Sequence, residues 1–297
     1  MSSRETAKLR IVLLGAGARA AWLRSAVAGM RGPGGVAFDV VGIEGAATRE
    51  RLVELPGGPS DVLVLVDHRP FLGAPPKAKP VAEAVREEAM CGMLALEASR
   101  RVSRTLHLSG EAGPWLAELA SLVGIRPPAR PPARPPSPPK APARLAALPI
   151  VAAYLEPIHA AVSAEAPLQL TWPRECFLDG DAPGKPLPAT VEVAGRARIL
   201  AYGPYLPLPA GRWKATACLG FSPDIGKMPF ILEIDTGAAV TRGFFEVERG
   251  GIYTLELDVP VVDSFHPIEL RLISQESSLE GQVSLIEVAL RQLVKGS

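Results

Sequence analysis

The sequence predicts a two-domain protein: an α/β doubly wound domain with a small parallel sheet over residues 1–125, a Pro-rich linker over 126–144, and an all-β sandwich or jelly roll over 145–297. Three observations carry this. Short continuous apolar runs alternate with helical patterns up to Ile125, the stretch from Arg126 to Pro142 reads RPPARPPARPPSPPKAP, and from Thr190 onward apolar and polar residues alternate with period two. A parallel strand buried on both faces needs a continuous apolar run. Proline fixes φ and removes the N–H that helix and sheet interiors require. Period two places alternate side chains on one face of a strand.

The totals bound the function classes. Across 297 residues, 47% are apolar, enough for two cores, and 32 Lys and Arg against 31 Asp and Glu leave a net charge of +1. Such a balance supplies no field for nucleic acid or an anionic membrane, so no nucleic-acid partner is expected. Cys91, Cys176 and Cys218 are far apart, odd in number and without a CxxC pair, which argues against a disulfide framework or a zinc knuckle. A reducing compartment fits. The polar start MSSRETAKLR precedes an apolar run too short for a signal peptide, which reads as cytoplasmic. No membrane span is expected either: Pro149, Glu156, Pro157 and His159 interrupt the longest apolar stretch, Leu145 to Ala164, which reads as a Pro-broken buried or interdomain segment.

In the first domain, strands are expected at Leu9–Leu14, Phe38–Ile43, Asp61–Val66 and Arg104–Leu108. Helices fall between them: Ala18 to Met30, a short one from Thr48, a long one after Pro80 with Val81, Val85, Ala89, Gly92 and Leu96 on one face, and a last one from Pro114 to Val123 that Gly124 stops. Ligands of such sheets bind beyond the carboxyl ends of the strands. Those ends carry Gly15-Ala16-Gly17-Ala18-Arg19-Ala20, then Glu44, then Asp67-His68. The first string fits G-x-G-x-x-A and resembles the Rossmann dinucleotide-binding fingerprint, in which bare N–H groups and a helix N-terminus cradle a pyrophosphate. The resemblance implies cofactor contacts from Gly15, Gly17, Ala20 and Glu44, with NAD(P) or a nucleotide sugar as the ligand. One departure stands: Glu44 lies 27 positions after Gly17, against about 20 in the usual spacing. The alternative is a purely structural glycine turn. Asp67 and His68 lack an identifiable third partner, and no catalytic residue is assigned.

The seventeen residues from Arg126 to Pro142 would extend roughly 50 Å at about 3.1 Å each, a stiff solvated spacer. Beyond it, Trp213, Ala215, Ala217, Leu219 and Phe221 alternate with Lys214, Thr216, Cys218 and Gly220. Comparable runs are 191–200, 229–235, 243–247, 252–259, 268–273 and 283–290, and 168–181 adds an edge strand.

Within this domain, Gly203-Pro204-Tyr205 leads through Leu208-Pro209 to Gly211 and Trp213. The stretch 202–213 and the strands after it resemble the carbohydrate-binding-module-like sandwiches of bacterial polysaccharide proteins, some of them appended to glycosyltransferases. The resemblance covers about 190–294, and it implies glycan recognition. Sugars need flat aromatic faces and nearby polar groups. Trp172, Tyr202 and Tyr205 are the aromatics least explained by core alternation, and Asp263 and His266 sit in a loop able to supply polar contacts. No metal site is expected from the spacing of Asp258, Asp263 and His266.

The leading expectation is an accessory carbohydrate-binding protein of bacterial surface-polysaccharide or glycoconjugate metabolism, partnered by a glycan or a protein of that pathway. Its α/β domain would be regulatory or would bind a sugar nucleotide. The alternatives are an NAD(P)-dependent oxidoreductase using the GAGARA turn and a homo-oligomerising docking protein with no small ligand.

Overall fold

The computed structural model describes residues 10–14, 17–28, 30, 39–43, 61–66, 81–108, 112–125, 136, 148–162 and 166–293. Gly15, Glu44, Asp67, His68 and the expected linker apart from Pro136 lie outside them. Two compact units emerge: 1–79 with 90–146 and 159–164, and 80–89 with 147–158 and 165–297.

In the first unit, β1 (Arg10–Leu14), β2 (Asp39–Ile43), β3 (Val62–Val66) and β4 (Arg104–Leu108) form one sheet in the order β2-β1-β3-β4, with every pairing parallel. All five residues of β3 are buried, as a continuous apolar run requires when both faces are covered. Ile11, Leu13, Val62, Val64 and Val66 pack in one cluster with Leu23 and Val27 of α1 (Gly17–Ala28) and with Trp115, Leu119 and Val123 of α3 (Trp115–Val123). Between them in sequence runs α2 (Val81–Ser99), whose residues up to Ala89 group with the second unit; of its predicted face, Val85, Ala89, Gly92 and Leu96 are buried, and the Val81 side chain lies outside those described. Helix α3 ends as its sequence requires: Gly124 takes φ 74, a left-handed conformation that glycine reaches without strain, and its N–H bonds back to Ala120 and Ser121.

Around Pro157 the predicted broken helix takes a particular form. Val151–Leu155 winds as a π-turn, and α4 (Glu156–Ala161) continues from it. Pro157 has no N–H to offer the carbonyl four residues back, and a wider turn just before it accommodates that loss. Tyr154 is fully buried, its hydroxyl donating to the Pro207 carbonyl.

The sandwich consists of two antiparallel sheets. One has the order β11-β10-β13-β8-β6 and the other β12-β9-β14-β5, with β7 also pairing to β14. The strands are β5 (Gln169–Pro173), β6 (Leu178–Asp179), β7 (Val191–Glu192), β8 (Arg198–Leu206), β9 (Gly211–Phe221), β10 (Met228–Asp235), β11 (Val240–Val247), β12 (Gly251–Val261), β13 (Ile268–Ser274) and β14 (Gln282–Leu293). The expected edge strand at 168–181 is two strands. A 3-10 turn at Arg174–Cys176 breaks it, so that β5 edges one sheet and β6 the other.

Period two holds where it was read. Trp213, Ala215, Ala217, Leu219 and Phe221 are all at most 6% exposed, and Phe230, Leu232, Leu270 and Leu272 of the facing sheet are buried with them. Truncating one of these, as in Phe230→Ala, costs about 3–5 kcal/mol through lost burial and the void left behind. Trp213 also satisfies its indole N–H, which donates to the Pro209 carbonyl at 2.8 Å. In β14 the alternation changes phase: Val283 and Leu285 face inward, then Val288 and Leu290, because a bulge lies between Leu285 and Glu287 in the pairing with β9. The extra residue, Ile286, is 43% exposed.

Candidate functional site

Parallel rows of side chains cross the outer face of the β12-β9-β14-β5 sheet. Register places Asp258, Lys214, Arg291 and Gln169 side by side, and one step along the strands Glu256, Thr216, Ala289 and Thr171. Three interstrand steps of about 4.8 Å make this face roughly 14 Å wide. Ala289 is the short side chain of its row, and a groove of about 440 Å³ opens there, lined by Gln169, Thr171, Lys214, Thr216, Glu256, Ala289 and Arg291, with the backbone of Leu170 and Leu290 beneath. Its size suits a small ligand. Its lining suits a hydroxyl-rich one, because the Thr171 and Thr216 hydroxyls and the Gln169 amide both donate and accept hydrogen bonds.

Charge is distributed unevenly along the groove. Lys214 Nζ lies 3.2 Å from Glu256 and 3.4 Å from Asp258, and hydrogen bonding to Glu256 followed by the Asp258 charge holds its ammonium above the ordinary range. Arg212 approaches Asp258 at 4.0 Å. The Arg291 side chain has neither a hydrogen bond nor an ion pair among the described residues, although it is directly opposite Lys214.

The sequence-predicted aromatics are elsewhere. Trp172 is corrected: it is fully buried, in phase with Leu170, and packs edge-on against Phe177 at 6.5 Å, so it presents no face to a sugar. Tyr202 and Tyr205 come together on β8 of the other sheet, edge to face at 6.2 Å. Both hydroxyls are engaged, Tyr202 accepting from the Gly184 N–H at 3.0 Å and Tyr205 donating to Glu269 at 2.9 Å. Burial, then the Glu269 hydrogen bond, pushes the Tyr205 phenol up to about 12. Asp263 and His266 share the turn between β12 and β13. There the Asp263 carboxylate accepts from the Phe265 N–H at 3.0 Å and its carbonyl from the His266 N–H at 3.2 Å, the bonding of a structural turn. The His266 ring packs over Gly237, which has no Cβ to obstruct it.

In the first unit, Gly17 is the first residue of α1, three positions after the end of β1 at Leu14, and Ala20 is 1% exposed. Arg19, between Gly17 and Ala20 in sequence, is buried with its guanidinium 4.2 Å from the centre of the Trp115 ring. Among the described residues no His, Cys, Asp and Glu side chains cluster with metal-binding geometry, and no helix is long and apolar enough to cross a membrane.

No protein-family profile matches the chain, and no curated protein is similar to it. Solved structures similar to it include a CBM61 module in complex with β-1,4-galactotriose, at 12% identity and a TM-score of 0.28, covering 42% of this chain and 88% of the other. A CBM36 module in complex with calcium and xylotriose has 12% identity and a TM-score of 0.27 over 40% of this chain and 98% of its own. The CBM22-1–GH10 modules of Clostridium thermocellum xylanase 10B, complexed with xylohexaose, have 12% identity and a TM-score of 0.25, covering 36% of this chain and 25% of that one.

Proposed function

We propose that the sandwich is a carbohydrate-binding module that takes a glycan across the outer face of the β12-β9-β14-β5 sheet. The observation that carries this reading is the groove over Ala289, floored by hydroxyl and amide groups and walled by charged side chains. Hydrogen bonds from such side chains can follow a row of sugar hydroxyls, and the four-strand width accommodates a short oligosaccharide. The resemblance at 202–213 supports placing the protein in bacterial surface-polysaccharide or glycoconjugate metabolism. In that setting the first domain is regulatory or binds a sugar nucleotide.

The test is retention of the full-length protein on a broad glycan panel, beside Ala289→Trp, which fills the groove from an exposed position on the sheet. Retention that the substitution abolishes supports the reading. Absence of retention on every glycan, or retention untouched by the indole, removes it.

A second reading, dinucleotide or sugar-nucleotide binding through Gly15, Gly17, Ala20 and Glu44, draws support from Gly17 opening α1 and from the burial of Ala20, the small residue that close helix–strand packing requires. A thermal-shift screen against NAD, NADP and nucleotide sugars tests it. At about 100 times its dissociation constant a ligand adds roughly 2.7 kcal/mol to the unit that binds it. No shift with any of them makes the glycine turn structural.

A further inference from the structure

Two cations stand directly opposite one another on adjacent strands of the groove face, Lys214 on β9 and Arg291 on β14. Like charges at such positions repel and weaken a sheet unless something neutralises them. For Lys214 that neutralisation exists, from Glu256 at 3.2 Å and Asp258 at 3.4 Å. For Arg291 it does not: its guanidinium lines the groove without an ion pair or a hydrogen bond among the described residues. The nearest outward acid on its own strand is Glu287, four residues back, roughly 13 Å along an extended chain and on the far side of the Ala289 row. The one carboxylate in the groove lining, Glu256, is engaged by Lys214, so Arg291 is the cation of the lining left without a partner among the described residues.

We propose that the ligand is an acidic glycan, with a uronic acid carboxylate seated on Arg291. This rests on the groove being the glycan site. A guanidinium offers a planar fork of N–H donors that matches a carboxylate with two parallel hydrogen bonds, a geometry an ammonium cannot reproduce. Gln169, beside Arg291 on β5, and Thr216, one row on, then reach hydroxyls of the same or the next ring.

The experiment measures binding of the full-length protein to polygalacturonate, alginate and hyaluronan, each beside its carboxyl-reduced form, at low and high salt. The acidic form of at least one pair is expected to bind ~10- to 100-fold more tightly, the range of a charge-assisted hydrogen-bonded pair, and the preference shrinks as salt screens it. Arg291→Gln brings the ratio of acidic to reduced binding toward one. Lys227→Gln, a charge change whose ammonium pairs with Glu246 on the other sheet, leaves that ratio unchanged. Equal binding of acidic and reduced forms, with Ala289→Trp abolishing both, overturns the acidic assignment and keeps the groove. Failure of every acidic and neutral glycan to bind overturns the groove itself.

Discussion

Arg198, the first residue of β8, organises the loop before it. Its Nε and Nη2 grip Asp181 at 2.7 and 3.0 Å, Nη2 also reaches the Glu192 carbonyl at 2.7 Å, and Nη1 serves the carbonyls of Val193, Ala194 and Arg196 at 3.2, 3.2 and 3.3 Å. The Arg198 side chain is 18% exposed and that of Asp181 49%. The ion pair is therefore half in solvent and contributes about 1 kcal/mol at most. Four carbonyls bonded by a sheltered cation weigh more: water regains some of them when the side chain is removed, and the remainder leaves a cost of about 1–3 kcal/mol. Arg198→Ala is expected to destabilise the sandwich by about 2–3 kcal/mol, and Asp181→Asn by about 1 kcal/mol or less. Arg198→Lys should fall between them, since an ammonium keeps the charge with fewer donors. The assay is urea unfolding of the full-length protein, read by hydrogen exchange in β9 and β14 so that the sandwich is followed separately from the first unit. An Arg198→Ala cost within about 0.5 kcal/mol, the range of an ordinary surface substitution, would refute the reasoning.

Other consequences follow from single contacts. An added Cβ at Gly180 would lie 2.0 Å from the Ile199 carbonyl oxygen, a backbone atom, so Gly180→Ala should force β8 to shift and cost about 2 kcal/mol or more in thermal unfolding. Burial and then the Glu175 charge push the Cys176 thiol up to about 12, so a mild alkylating reagent at pH 8 should label exposed Cys91 well before Cys176, read by peptide mass spectrometry. Glu233 is 5% exposed between Arg242 at 2.6 Å and Arg271 at 2.8 Å. Burial raises its carboxyl, but hydrogen bonds from the two guanidinium groups more than reverse this and hold it below the ordinary range. Its contribution to stability is thus complete above the unfolded value of about 4.3 and is lost as pH falls through the lowered folded value. Glu233→Gln should destabilise the protein at pH 7 and flatten its acid unfolding curve; a parallel curve with the same acid slope would contradict this.

Much of the fold was legible because its causes are local. The inward set of β9 follows from period two, the stop at Gly124 from a glycine after a helical face, and the buried β3 from five consecutive apolar residues. Trp172 was legible too, since it keeps the parity of Leu168 and Leu170 and that parity marks the core. Treating it as a spare aromatic set chemistry above periodicity. The groove has no such local signature. Its lining comes from 169–171, 214–216, 256 and 289–291, and only the strand pairing brings those segments together. The one trace in the sequence is that Lys214 and Thr216 occupy the polar half of the alternation in β9, a face without a ligand until its neighbours are known. The division of 168–181 between two sheets was hidden for the same reason, because edge partners are a tertiary choice.

The bulge at Ile286 links the core to the groove. Ile286 and Glu287 both point outward, and the inward parity resumes at Val288. Deleting Ile286 would restore plain alternation from Leu285 onward and leave Val288 and Leu290 inward and Ala289 and Arg291 outward, whereas closing the bulge with Ile286 retained would exchange the two faces beyond it. The bulge is thus a point in β14 where one residue can be lost without turning the core outward, while a deletion within a regular stretch of the strand has no such shelter.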